Sequence, residues 1–143
     1  MVMLILVVFA MLGVHAQAAD FTLTAAQGVA YTRDQLADVR MSAQVGVLSS
    51  GVSVGIFGNH KYVSSGIGLK LCDRLEVGLD AAYLSSVPGK YLTGRWQFKP
   101  SITLNITDSL SVKYLHFSNG SGKTNSSGNV NNGRDFLGLT WRT

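Results

Sequence analysis

The chain has 143 residues, room for one domain, with a formal net charge of +4 and only 14% charged residues. Its single cysteine, Cys72, excludes an internal disulfide framework, and His60 and His116 are too far apart in sequence to form a compact metal motif, so neither metal nor cofactor is expected. The modest positive charge suits an anionic partner, but no interleaved basic and aromatic pattern marks nucleic acid as that partner.

Residues 1–18 read as a secretory signal. An apolar core at 2–14 precedes Ala16-Gln17-Ala18, a small-x-small cleavage pattern, although no Lys or Arg stands before the core. The core falls short of the roughly 20 residues a helical span requires. The mature domain is therefore expected at 19–143. Its mean hydropathy is positive, yet no long apolar run follows the leader. The apolarity must be distributed along the chain.

It is distributed in alternation. Strands are predicted at about 20–31, 38–48, 52–57, 62–71, 74–85, 92–106, 109–118 and 134–142. In the second, Val39, Met41, Ala43, Val45 and Val47 alternate with Arg40, Ser42, Gln44 and Gly46; in the fifth, Leu75, Val77, Leu79, Ala81 and Tyr83 alternate with Glu76, Gly78, Asp80 and Ala82. In the sixth, Trp96, Phe98, Ile102 and Leu104 oppose Arg95, Gln97, Lys99 and Thr103. Successive side chains of a strand point to opposite faces, so each segment has one apolar and one polar face. The connections after the second, fourth and sixth strands are short, and those after the first, fifth and seventh are longer, the longest being 119–133. The expected fold is all-β, an eight-stranded antiparallel transmembrane barrel of the bacterial outer membrane with both termini on the periplasmic side.

Alternation alone does not say which face is inside, since a soluble barrel that binds an apolar ligand turns its apolar side chains inward. Three features favour the membrane. The polar face carries small residues and paired charges (Glu76, Asp80, Arg95, Lys99, Lys113), the apolar face carries Tyr83, Trp96 and Trp141, and the loops alternate short and long.

On that reading Lys113 points inward, so Tyr114, His116 and Ser118 face outward, and so does Asp135 on the last strand. Residues two apart on a strand share a face, with Cα atoms about 6.6 Å apart. An imidazole spans that gap to a hydroxyl, and a carboxylate on the next strand reaches its other nitrogen. That is the nucleophile, base and orienter arrangement of an ester hydrolase, with Ser118, His116 and Asp135 in those roles. His-x-Ser by itself is common and carries little weight. The coincidence of three such residues on one face of one hairpin carries more.

The segment Tyr114-Leu115-His116-Phe117-Ser118-Asn119, followed by Asn131-Asn132-Gly133-Arg134-Asp135, resembles the end of the lipid A 3-O-deacylase (PagL) family. The family pattern is H-x-S-N, a loop, then N-x-G-x-E before the final strand. The resemblance covers about the last 30 residues; elsewhere it extends only to size and strand number. It implies an eight-stranded outer-membrane barrel whose outward triad cleaves the 3-O-linked 3-hydroxyacyl ester of lipid A. It also implies that Asn131 is an oxyanion-hole residue, with Asn119 and Gly133 as supporting positions. This chain has Asp135 where the family has Glu. Lys61, Lys90, Lys123 and Arg134 fall in or beside the expected outer loops, where they would meet the phosphates of lipopolysaccharide in the outer leaflet. Gly120-Ser121-Gly122-Lys123-Thr124 resembles a nucleotide phosphate loop but has Phe117 where that motif needs its first glycine. The rival reading to an enzyme is a small structural or adhesive barrel.

Overall fold

The computed structural model describes residues 19–30, 32–86, 94–119 and 133–143. They form eight strands: β1 (Asp20–Val29), β2 (Gln35–Val45), β3 (Leu48–Phe57), β4 (His60–Cys72), β5 (Leu75–Leu84), β6 (Trp96–Asn105), β7 (Leu110–Phe117) and β8 (Arg134–Arg142). Each pairs antiparallel with the next, and β8 pairs with β1, so the sheet closes into a barrel. The β1–β8 seam runs from Thr22↔Arg142 to Val29↔Asp135 without interruption. Closure leaves the sheet without a free edge strand.

Number, order and direction of the strands agree with the sequence expectation. The largest difference lies between β2 and β3. Ser49-Ser50-Gly51 reads as a turn by composition, but it is strand, and the turn is Gly46-Val47, with Gly46 at φ +60°. Gly51 serves packing. A Cβ on Gly51 would stand 2.7 Å from Nε of Arg40, whose side chain crosses it inside the barrel. At the other end β6 starts at Trp96 rather than 92, after Gly94 has left the extended region with φ +90°.

Along most of the wall apolar side chains point outward and polar ones inward. Phe21, Leu23, Val39, Val54, Val63, Ile67, Leu79, Phe98, Ile102 and Leu139 are exposed on the outer wall. Tyr83 and Trp96 meet edge to face at 4.9 Å near the end with the longer loops, and Trp141 stands near the end with the short turns. Inside, Asp80 accepts from Arg40 at 2.7 Å and from Lys99 at 3.1 Å, and Lys99 also reaches Asp38 at 3.3 Å. The Tyr62 hydroxyl donates to Asp38 and the Ser64 hydroxyl to Asp80. Buried charges persist only when paired and hydrogen-bonded, and this network meets that condition.

The lumen is not a passage. Around the charges it holds a polar cavity of about 50 Å³, room for a few waters. Towards the longer loops it is filled by Phe57, Phe117, Phe136, Tyr62, Leu84, Leu115 and Leu36. The Phe57 ring lies 4.9 Å from Phe117 and 5.4 Å from Phe136. Among the described residues the apolar strand faces point outward, the reverse of a soluble barrel that binds an apolar ligand inside.

Asp80 is the hub of the network, so Asp80→Ala leaves Arg40 and Lys99 buried without their main acceptor. The expected loss is about 3–5 kcal/mol, read as a lower urea midpoint for unfolding. An unchanged midpoint would show that the network does not hold the barrel.

Candidate active site

The strand register sets the geometry. On the β7–β8 hairpin His116 stands directly opposite Asp135, and Tyr114 opposite Leu137. Cross-strand partners share a face, and this face is the outer one, because Leu115, Phe117 and Phe136 on the other parity are buried inside. His116 Nδ1 and Asp135 Oδ1 are 2.6 Å apart. An ionised carboxylate can only accept, so Nδ1–H donates, and in the neutral imidazole the lone pair is then on Nε2. The pair is partly sheltered, with side chains 29% and 14% exposed.

Ser118 follows on the same parity, just beyond the end of β7. Its backbone is held by β6: its N–H donates to the Phe98 carbonyl at 3.0 Å, and its carbonyl accepts from the Phe98 N–H at 2.6 Å. Phe98 is exposed on the outer wall, so its bridge partner Ser118 shares that face. The structure thus brings His116 and Asp135 into contact and places Ser118 on their side of the barrel, two residues from the imidazole. A hydroxyl, an imidazole and a carboxylate on its Nδ1 can support nucleophilic acyl transfer.

Gly133 has a clear local role. It takes φ +75°, and a Cβ there would lie 2.4 Å from Cε1 and 2.8 Å from Nε2 of His116. The chain returning into β8 therefore lies against the Nε2 edge of the ring, and only glycine satisfies both the dihedral and the contact. Asn119 is half-buried, and its amide nitrogen lies 3.6 Å from where a Cβ of Gly94 would stand. Asn131, Lys90 and Lys123, together with all of Gly120–Thr124, lie outside the described residues.

The cations part company. Lys61 is exposed at the start of β4, on the outer parity at the longer-loop end, three strands from His116. Arg134 departs from its expected role at a phosphate. It points inward, is buried, donates from Nη1 to Asp34 Oδ2 at 2.6 Å and lies over the Phe57 ring. Strand parity explains the difference, since the neighbour of an outward Asp135 must point in. Its charge ties β8 to the segment between β1 and β2.

One participant was overlooked. The Tyr114 hydroxyl donates to Asp135 Oδ1, the same oxygen that takes His116 Nδ1–H. Its signal was its position, two residues before His116 on the same face. Among the described residues no three potential metal ligands come together.

Gly133→Ala should push the His116 ring away from its present place. The expected outcome is a displaced set of His116 ring resonances in micelles, with a stability loss of about 1–2 kcal/mol from the left-handed backbone. Unmoved resonances would show that Gly133 does not hold the ring. Compared with protein-family models, with curated proteins and with solved structures, the chain finds no match.

Proposed function

We propose that this protein is an outer-membrane ester hydrolase that removes the 3-O-linked 3-hydroxyacyl chain of lipid A. The observation that carries the reading is the hydrogen-bonded His116–Asp135 pair on the apolar outer wall, with Ser118 on the same face. A wall that is apolar outward, with Tyr83 and Trp96 near one rim and Trp141 near the other, suits a bilayer. The ester of a lipid in that bilayer approaches the barrel from the side, where these residues stand.

In the proposed reaction Ser118 Oγ bonds to the ester carbonyl carbon while His116 Nε2 takes the hydroxyl proton. Asp135 stabilises the imidazolium through Nδ1. The tetrahedral intermediate collapses as the bond from carbon to the sugar oxygen breaks, and the imidazolium returns its proton to that oxygen. Water, deprotonated by His116, then attacks the acyl-serine and releases the hydroxy acid and free Ser118. Asn119 and Asn131 are the candidate donors to the oxyanion, and Lys61 is a candidate contact for a phosphate of the headgroup.

Location also favours the reading. The site lies at the longer-loop end, and a charged side chain near the interface costs only about 0–1 kcal/mol. It can therefore be kept on the outer wall without threatening the fold.

The test is mass spectrometry of lipid A incubated with the micellar protein. Wild type should release the 3-O acyl chain and Ser118→Ala should release none. Asp135→Asn should slow release by roughly two to four orders of magnitude, as loss of the orienting carboxylate does in serine hydrolases. No release by either would leave the structural or adhesive barrel as the better reading, and equal release by both would rule out Ser118 as the nucleophile.

A further inference from the structure

We infer that Tyr114 is a positioning residue of this site, acting through Asp135 rather than on substrate; the inference rests on the esterase reading for its kinetic consequence. The geometry is specific. Asp135 Oδ1 receives two donors, the Tyr114 hydroxyl and His116 Nδ1–H. Tyr114 is diagonal to Asp135 across the hairpin, a separation that an aromatic side chain bridges and a short one does not.

Asp135 needs such a contact. Its opposite neighbours across the sheet are His116 on β7 and Val29 on β1, and the next outward residue of its own strand is Leu137. Val29 and Leu137 are apolar and exposed on the wall, so they offer the carboxylate nothing to hold it. A carboxylate in apolar surroundings gains from each donor it acquires. With only the imidazole as partner, it would be free to swing with the ring. The phenol fixes the oxygen that His116 uses. That holds Nδ1–H on the carboxylate and leaves Nε2 for the base role in the proposed reaction.

A tyrosine near the membrane interface is ordinarily explained by its amphipathic ring alone. Two features separate the roles. A residue that only anchors the barrel would not spend its hydroxyl on the carboxylate of a His–Asp pair, and its loss would not depend on whether Asp135 is present.

The experiment is a double-mutant cycle of Tyr114→Phe and Asp135→Asn, with kcat and KM measured on lipid A in micelles. Tyr114→Phe should lower kcat about tenfold, the equivalent of one hydrogen bond, with KM within about twofold. Added to Asp135→Asn, it should cost nothing further. A fully active Tyr114→Phe, or losses that multiply in the Asp135→Asn background, overturns the inference. The low-field proton resonance of His116 Nδ1–H gives a second readout that needs no turnover: it should shift in Tyr114→Phe, and an unshifted resonance also overturns the inference. If Ser118→Ala is as active as wild type, or wild type is inactive, the esterase reading fails alone, and the resonance still decides whether Tyr114 braces the pair.

Discussion

Closure of the sheet is the constraint on which everything else depends. Because β8 pairs with β1 as well as β7, the register of every strand is tied to that of every other. The side-chain period is two, so a slip of one residue in β8 would turn Asp135 into the lumen and Arg134 onto the wall. A slip in β7 would do the same to His116 and Tyr114. Phe117 and Phe136 inside resist such slips, since their exchange with polar neighbours would empty the plug and bury charges. Core packing and placement of the site are therefore one problem.

The two ends of the lumen solve different problems. In the middle and towards the short turns, Arg40, Lys99, Asp38 and Asp80 satisfy one another in a narrow polar interior. Towards the longer loops, aromatic rings fill the space. A blocked lumen leaves the outer wall and the loops as the surfaces where chemistry can meet a partner. The hairpin carrying His116 and Asp135 is backed by that aromatic plug, which gives its outer face a firm support. Arg134 belongs to the same support: its bond to Asp34 and its position over Phe57 hold the first residue of β8 immediately beside Asp135.

The site shows how small distances discriminate among residue types. Gly133 is required because the chain returns from its loop against the imidazole itself. Asp135 stands directly opposite His116, where a short carboxylate suffices to reach the ring. The substitution of Asp for the Glu of the resembled family is thus compatible with the contact between acid and imidazole.

Much was legible in the sequence because β structure writes its faces into parity. Alternation in 39–47, 75–84 and 96–104 identified the strands. The same parity put His116, Ser118 and Asp135 on one side. What alternation cannot encode is register between strands, since shifting one strand by two residues leaves its pattern intact. Only the folded barrel decided that His116 faces Asp135 and that Tyr114 shares its oxygen. Composition misled at Ser49-Ser50-Gly51, where Gly51 makes room for Arg40 within a strand. It misled again at Arg134, a cation beside a loop whose parity turned it inward. The local chain determined which residues share a face; pairing across the closed sheet decided which of them touch.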